Sequence, residues 1–208
     1  MAVATTVVFV VDDDPSVRKS LTRLVASAGY VVEAFASARE FLERAPTGGP
    51  CCLVLDVRMP GLTGLDLQKT LAQAVHRIPV VFITGHGDVS MSVTAMKAGA
   101  VDFLTKPFDG KDLLGAIQRA VEKDTRDLGT EARTGEIQAR VRLLTPRERQ
   151  VFALVVTGML NKQIAAQLGI AEKTVKVHRA RVMDKMRAGS VAELVRLADD
   201  VGVIVTQA

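Results

Sequence analysis

Over the first 122 residues, strand-like apolar runs alternate with segments whose apolar residues have helical spacing. Five short apolar runs predict strands that are covered on both faces. These runs lie at 7–11, 31–35, 51–55, 80–83 and 100–104. Between these runs, apolar residues recur at helical spacing, which predicts helices. Turn residues such as Gly29 and Gly99 end these helical segments. The alternation predicts an α/β domain with a doubly wound, five-stranded parallel sheet and right-handed crossovers.

From Leu144 onward the pattern is helical throughout. A first helix is predicted after Thr-Pro-Arg-Glu at 145–148, which offers a threonine cap, an early proline and a capping-box glutamate. Further helices are predicted at 162–168, 172–187 and 190–197, with Asn161 as the cap of the 162–168 helix. A short helix, a turn and a longer basic helix are typical of a helix-turn-helix. The sequence therefore predicts an all-α, four-helix helix-turn-helix domain.

The segment between these two patterns lacks strong periodicity. Residues 123–143 mix charges with Gly129 and Gly135, which predicts a linker, and the composition allows either a coil or a helix. The predicted division is a first domain at 1–122, a linker at 123–143 and a second domain at 144–208.

The net charge of +4 is concentrated near the C-terminus. Residues 1–122 carry 12 Lys or Arg against 13 Asp or Glu, whereas residues 144–208 carry 10 against 6. This asymmetry favours a nearly neutral domain joined to a module that binds nucleic acid.

Apolar runs in this chain are strand-sized, so no membrane span and no contact with a membrane are expected. The N-terminus lacks the pattern of a secretory signal, which favours a cytoplasmic location. Cys51 and Cys52 are adjacent in a predicted strand, and their side chains point to opposite faces. They are expected to be reduced core thiols rather than a disulfide framework.

Candidate chemistry lies where the apolar runs end. Asp12 and Asp13, Asp56, Thr84 and Lys106 each follow a predicted strand, and ligands bind at the carboxyl edge of an open α/β sheet. Three carboxylates repel one another, and a hard divalent cation such as Mg²⁺ or Mn²⁺ removes that repulsion. Asp56, at the tip of the central strand, is the best-placed nucleophile for a phosphoryl group. Lys106 and Thr84 would stabilise the phosphoryl oxygens.

Each of these residues alone has a simpler interpretation as a turn or helix-cap residue, and their joint occurrence outweighs it. Two enzyme classes fit poorly. A haloacid-dehalogenase phosphatase needs a second aspartate two residues after the nucleophile, and Arg58 stands there. A dinucleotide-binding domain needs a glycine-rich turn after its first strand, where this chain has Asp-Asp-Asp-Pro at 12–15.

The third helix of the second domain carries six basic residues between 173 and 187. Val175, Val182 and Met186 form its predicted buried stripe. A basic run is often only a solvated face, but the preceding short helix and the regional charge favour DNA binding. Lys185 and Arg187 are expected to contact phosphate. The candidate DNA-binding residues are Lys173, Thr174, Lys176, Val177, His178, Arg179 and Arg181, of which His178 and Arg179 suit phosphate contact.

The segments VVDDD, LDVRMPGLTG, ITGHGD and DFLTKPF resemble the receiver domain of two-component response regulators, over residues 7 to about 122. The resemblance implies the flavodoxin-like receiver fold and makes Asp56 the phosphoacceptor. It makes Asp13 the main Mg²⁺ ligand, with Asp12 and the main-chain carbonyl of Arg58 beside it. Thr84 and Phe103 would be its switch pair. The side chains of Arg58 and His86 are hypothesised to influence hydrolysis of the acyl phosphate.

Residues 143–200 resemble the LuxR-type helix-turn-helix domain, and the chain as a whole is most similar to the FixJ branch. This implies a transcription factor rather than a turnover enzyme, able at most to release its own phosphate. The implied partners are a sensor histidine kinase, double-stranded DNA and a second copy of the chain after phosphorylation. Two alternatives stay open: a regulator that works without phosphorylation, with a vestigial acidic pocket, and a metal-dependent phosphohydrolase.

Overall fold

The computed structural model describes residues 5–45, 48–73, 77–85 and 89–202. The chain divides into two compact units, Met1–Leu128 and Gly129–Ala208. Within the described ranges, no helix is both long enough and apolar enough to cross a membrane.

The first unit is built on a parallel sheet with the strand order β2-β1-β3-β4-β5. Its strands are β1 Val7–Val11, β2 Val31–Phe35, β3 Cys51–Asp56, β4 Val80–Thr84 and β5 Asp102–Thr105. Its helices are α1 Pro15–Ser27, α2 Ala38–Leu42, α3 Gly64–Leu71, α4 Val89–Lys97 and the beginning of α5 Gly110–Arg142. The predicted doubly wound sheet is confirmed.

Both faces of this sheet are covered, as the unbroken apolar runs predict. Alternate residues of the strands point to opposite faces, so Phe9, Leu53 and Phe82 lie in one buried cluster with α2, α3 and α4. Val10 and Val54 lie in the other, with α1 and the start of α5. The two cysteines are free and buried, one in each cluster. Packing on both faces fixes where each strand ends, and therefore where the side chains at the carboxyl edge lie.

Helix α5 is much longer than the predicted helix at 111–123. It continues as a single helix to Arg142, so the segment 123–143 is helical almost to its end, and the division between the compact units falls inside it. Between 123 and 142 only Asp124 and Ile137 are buried. Ion pairs one turn apart, Lys123–Asp127 and Arg140–Glu136, support the exposed face. A helix with so few buried positions has little hydrophobic periodicity, which is why its pattern predicts a linker.

The second unit packs the end of α5 with four further helices. They are α6 Pro146–Val156, α7 Asn161–Leu168, α8 Glu172–Met186 and α9 Val191–Asp200. The predicted capping box at Thr145 and Glu148 is present. Val175, Val182 and Met186 are fully buried, as their spacing predicts. The helix-turn-helix prediction is therefore confirmed.

One cap prediction is wrong. Helix α7 begins at Asn161 and its N-cap is Leu160, whose main-chain N–H donates to the Gln163 side chain over 2.8 Å. The Asn161 side-chain oxygen instead accepts a hydrogen bond from Arg179 Nη1 at 3.0 Å. The Asn161 side chain therefore connects α7 to α8 rather than capping its own helix.

Candidate acidic site and nucleic-acid interface

The carboxyl edge of the sheet brings the predicted acidic residues together. Asp12 follows β1, Asp56 ends β3 and Thr84 ends β4, and these three strands are neighbours in the sheet. Each of Asp12, Asp13 and Asp56 offers a ligand oxygen within 4.8 Å of the other two. Lys106, just after β5, reaches the same place, with its Nζ 2.7 Å from Asp12 Oδ2.

Asp12 is fully buried, and protein donors hold each of its three oxygens. Its carboxylate accepts from the Asp14 main-chain N–H at 2.9 Å and from Lys106 Nζ. Its main-chain carbonyl accepts from Arg18 Nη1 at 2.7 Å. These contacts hold Asp12 in place and commit the ammonium group of Lys106 to it.

Asp56 has a different environment. Its side-chain Oδ1 is buried and has no hydrogen-bond partner among the residues described, and it lies 3.8 Å from Lys106 Nζ. Burial raises the pKa of Asp56 to about 6; Lys106 opposes this rise, and the charges of Asp12 and Asp13 add to it. The carboxylate is thus held at the sheet edge with one oxygen that no donor among the described residues satisfies.

Gly64 allows the loop after β3 to fold back against the site. A Cβ atom at this position would lie 2.2 Å from the main-chain oxygen of Asp56, and the Gly64 N–H donates to the Val57 carbonyl at 3.0 Å. Only glycine fits this close approach. In the sequence Gly64 stands out only as a loop residue, because a close backbone contact has no local signal other than the glycine itself.

The predicted switch residues lie on adjacent strands. Thr84 is fully buried at the end of β4, and its carbonyl accepts from the Lys106 N–H at 2.7 Å. Phe103 is half-buried on β5 and pairs in register with Phe82, with ring centroids 6.2 Å apart. The Lys106–Pro107 bond is cis. Arg58 is exposed, and His86 lies outside the described residues.

The acidic cluster suits a hard divalent cation. Three carboxylates converge, and the unpartnered oxygen of Asp56 supplies a buried acceptor that needs a donor or a cation. A hydrogen-bond donor alone would not relieve the repulsion between the three carboxylates. The residues present therefore fit Mg²⁺ by both donor type and charge.

The predicted recognition helix is α8. Its buried stripe faces the core of the second unit, and the candidate residues Lys173, Thr174, Lys176, Val177 and Arg181 are all exposed. The turn before it is made by Gly169, which adopts the left-handed conformation with φ of 64°. This face is consequently free to approach DNA.

Three other basic or titratable side chains of α8 are less free. His178 is half-buried, and so is Arg179, which bonds to Asn161. Lys185 Nζ donates to the buried Glu148 carboxylate at 2.6 Å and to the Leu143 carbonyl at 3.1 Å. This ammonium group is thus committed to two protein acceptors, and the phosphate contact predicted for Lys185 stays a prediction. Its positive charge gives no sequence signal of that commitment.

A doubly wound sheet with three aspartates and a lysine at its carboxyl edge, followed by a helix-turn-helix, defines the class of phosphoacceptor-type DNA-binding regulators. Residues 8–118 match the response regulator receiver domain, and residues 142–198 match the bacterial regulatory proteins of the luxR family.

Relatives of this chain align with it over nearly its whole length. The chain is 51% identical over 197 residues to nodulation protein W of Bradyrhizobium diazoefficiens, covering 95% of this chain and 87% of that protein. It is 45% identical to the transcriptional regulatory protein FixJ of the same organism, covering 95% and 96%.

Among solved structures, the response regulator StyR superposes with a TM-score of 0.83 at 47% identity, covering 94% of this chain and 99% of that chain. Full-length FixJ from B. japonicum superposes with a TM-score of 0.55 at 43% identity, covering 95% and 98%. The chain therefore belongs to the two-component response regulators that join a receiver domain to a LuxR-type helix-turn-helix DNA-binding domain, a family of transcription regulators.

Proposed function

We propose that a sensor histidine kinase phosphorylates Asp56 and that this modification controls how the regulator engages double-stranded DNA. The observation that carries the proposal is the buried Asp56 oxygen within the acidic cluster: it lies 3.8 Å from the Lys106 ammonium and accepts no hydrogen bond from any described residue. A structural aspartate is normally satisfied by protein donors, as Asp12 is. Asp56 instead has one oxygen available for chemistry.

Transfer begins with attack of the ionised Asp56 carboxylate on the phosphorus of a phosphohistidine. The bond from phosphorus to the imidazole nitrogen breaks as the bond to the Asp56 oxygen forms, which gives an acyl phosphate and free histidine. Asp12, Asp13, Asp56 and the main-chain carbonyl of Arg58 would hold Mg²⁺ or Mn²⁺. Such an ion would neutralise the carboxylates and stabilise the charge of the phosphoryl oxygens.

Lys106 and Thr84 complete the pocket around the new group. The Lys106 ammonium lies between Asp12 and Asp56, so a small shift away from Asp12 brings it to a phosphoryl oxygen. The Thr84 hydroxyl, at the end of the adjacent strand, donates to another. Movement of Thr84 leaves room behind it for Phe103, which is packed against Phe82 and half-buried before the change.

Phosphorylation promotes formation of a homodimer, and two α8 helices then bind two half-sites. Lys173, Thr174, Lys176, Val177 and Arg181 supply the exposed face, while His178 and Arg179 lie at its edge. Linking two weak contacts raises the effective concentration at the second half-site.

The protein is not a turnover enzyme. At most it releases its own phosphate from Asp56, at a rate that the side chains of Arg58 and His86 influence.

The decisive experiment treats the purified chain with acetyl phosphate and Mg²⁺. We expect one phosphoryl group on Asp56, sensitive to hydroxylamine, together with tighter binding to a target duplex. Asp56→Asn should lose both effects. Asp66→Asn is the matched control, because Asp66 is an aspartate on α3 whose carboxylate pairs with Lys69 at an exposed site.

Three results would count against the proposal. A label that persists in Asp56→Asn would place the phosphoacceptor elsewhere. Equal DNA affinity and dimer content with and without the donor, in both proteins, would favour the phosphorylation-independent regulator. Multiple turnovers of a simple phosphate ester, abolished by Asp56→Asn, would favour a phosphohydrolase.

A further inference from the structure

The C-terminal end of helix α8 is fastened to the end of α5 inside the second unit. The side chain of Arg140, on the last turn of α5, is only 20% exposed. Its Nη1 donates to the Met186 carbonyl at 3.2 Å, and its Nη2 to Glu136 at 2.6 Å. Met186 is the last residue of α8, where carbonyls lack partners within the helix. Arg140 therefore caps the recognition helix from outside.

A second bond runs in the opposite direction. Lys185, in the last turn of α8, donates to the carbonyl of Leu143, which follows the end of α5. The same ammonium group pairs with Glu148, whose carboxylate also accepts from the Thr145 N–H at the start of α6. The ends of α5 and α8 thus satisfy each other's carbonyls, and the start of α6 joins them.

Apolar packing fixes the same place. Ile137, one turn before Arg140, and Leu144, just after α5, are each 2% exposed and belong to one buried cluster with Met186 and Val182. Because both helix ends share this core, Arg140 cannot shift along α8 without disturbing buried contacts. A hydrogen bond between a guanidinium and a carbonyl depends on distance and angle. The polar bonds therefore also fix the orientation of the end of α8 relative to α5.

We infer that Arg140 is a positioning residue for DNA recognition, acting through the Met186 carbonyl rather than through contact with DNA. This rests on the proposed use of α8 as the recognition helix. Base contacts require the exposed N-terminal part of α8 to be held at a fixed angle, whereas phosphate attraction tolerates small rotations. Freeing the C-terminal end of α8 therefore weakens binding to the specific sequence and leaves binding to unrelated DNA nearly unchanged.

The test uses the full chain phosphorylated with acetyl phosphate and two duplexes. One duplex is selected from a random library by the wild-type protein, and the other has the same composition in scrambled order. Arg140→Met removes the donors and keeps most of the apolar stem. Arg142→Met is the matched control: Arg142 is an exposed arginine of the same helix whose guanidinium makes no hydrogen bond among the residues the structure describes.

We expect Arg140→Met to weaken the selected duplex by about tenfold, or ~1.4 kcal/mol, with less than about a twofold change for the scrambled one. Arg142→Met should change neither duplex by more than about twofold. Arg140→Lys keeps the charge and one donor, and its loss should be intermediate. Glu136→Gln, which spares the bond to Met186, should resemble the wild type. Thermal unfolding confirms that all variants are folded at the assay temperature.

Two outcomes overturn the inference while leaving DNA binding in place. If Arg140→Met weakens both duplexes equally, Arg140 acts as a general positive charge. If Arg140→Met and Arg142→Met are indistinguishable on the selected duplex, the cap on α8 has no role in recognition. If the wild-type protein selects no sequence at all, the proposed use of α8 fails, and the inference fails with it.

Discussion

At the scale of single residues, Asp12 and Asp56 show how position decides the role of a carboxylate. Both lie at the ends of buried strands and have Lys106 as a neighbour. Main-chain and side-chain donors satisfy Asp12, whereas one Asp56 oxygen has no hydrogen-bond partner in the part of the chain that the structure describes. The cost of burying that charge falls on the free energy of folding, and a cation bound by the three carboxylates would relieve it. Asp56 is therefore destabilising in the absence of ligands.

The raised pKa of Asp56 gives this cost a pH dependence. Its pKa is about 6 in the folded protein against an ordinary value of 3.8, so the folded state binds the proton more tightly. The contribution of this carboxyl group to the free energy of unfolding is thus fully present below about pH 4. It is lost as pH rises towards about 6. In EDTA, Asp56→Asn should be more stable than the wild type by about 1–3 kcal/mol at neutral pH. The difference should vanish near pH 4.

Urea unfolding followed by tyrosine fluorescence measures this difference. Tyr30 is the only tyrosine, and the chain has no tryptophan, so the signal reports the first unit alone. Asp66→Asn provides the matched control, since Asp66 lies at a surface site with a lowered pKa. A constant gap between Asp56→Asn and wild type across this pH range would contradict the prediction.

At this scale the sequence was a good guide to which residues converge and a poor one to their bonds. Strand-end aspartates, Thr84 and Lys106 are all recognisable because parallel strands end at one edge. The close approach at Gly64 and the partners of Lys185 and Asn161 depend on distances between elements. Those distances are set by packing, which no local pattern of residue types encodes.

At the scale of elements, an ion pair between the buried Glu148 and the half-buried Lys185 connects α6 with α8. A hydrogen bond from Lys185, with a second from the Thr145 main chain, lowers the pKa of Glu148 to about 2 from an ordinary value of 4.5. The carboxylate is therefore favoured in its charged form in the folded state. Its contribution to stability is complete above about pH 4.5 and is lost as pH falls towards about 2.

Glu148→Gln should accordingly destabilise the second unit at neutral pH, by about 1–3 kcal/mol, because it leaves the Lys185 ammonium without its anion. The gap to wild type should shrink as pH falls below about 4.5. Circular dichroism follows the loss of helix in both units, and Tyr30 fluorescence follows only the first unit. The helical transition that is absent from the Tyr30 signal therefore belongs to the second unit. Glu193→Gln, which alters another helix-start glutamate, in α9, without touching Lys185, is the control. A gap that grows in acid would refute this account.

Strands and helices could be predicted from the sequence because their hydrophobic periods differ sharply. The residues at which a helix ends could not be predicted in the same way. Helix α5 illustrates the limit, since its residues from 123 onward bury only Asp124 and Ile137 and rely on ion pairs one turn apart. Asp124 accepts from the Cys51 N–H at 2.8 Å, a contact between residues far apart in the sequence. Such tertiary contacts extend a helix without giving it an apolar stripe.

At the scale of the whole molecule, the second unit begins before the predicted boundary at 144. Ile137 and Arg140 contribute to its core and its polar contacts, and Arg133 pairs with Asp200 on α9 at 2.9 Å. A fragment of residues 129–208 should therefore unfold cooperatively at a higher temperature than a fragment of residues 144–208. The same contacts should make its affinity for the selected duplex higher.

Thermal unfolding of the two fragments by circular dichroism, with the full chain as reference, measures this difference. A variant of the longer fragment with Ile137→Ala separates the core contribution from mere helix length, and it should lose stability. Equal melting temperatures for the two fragments would show that the end of α5 adds nothing to the second unit.

The ammonium group of Lys106 has one more consequence. Because it pairs with Asp12 at 2.7 Å, it gives the receiver a counterion of its own, and we expect the acidic pocket to stay assembled when the metal is removed. On the proposed function, magnesium starvation then silences the regulator without unfolding it. We expect the folded protein to accept phosphate again once magnesium is restored.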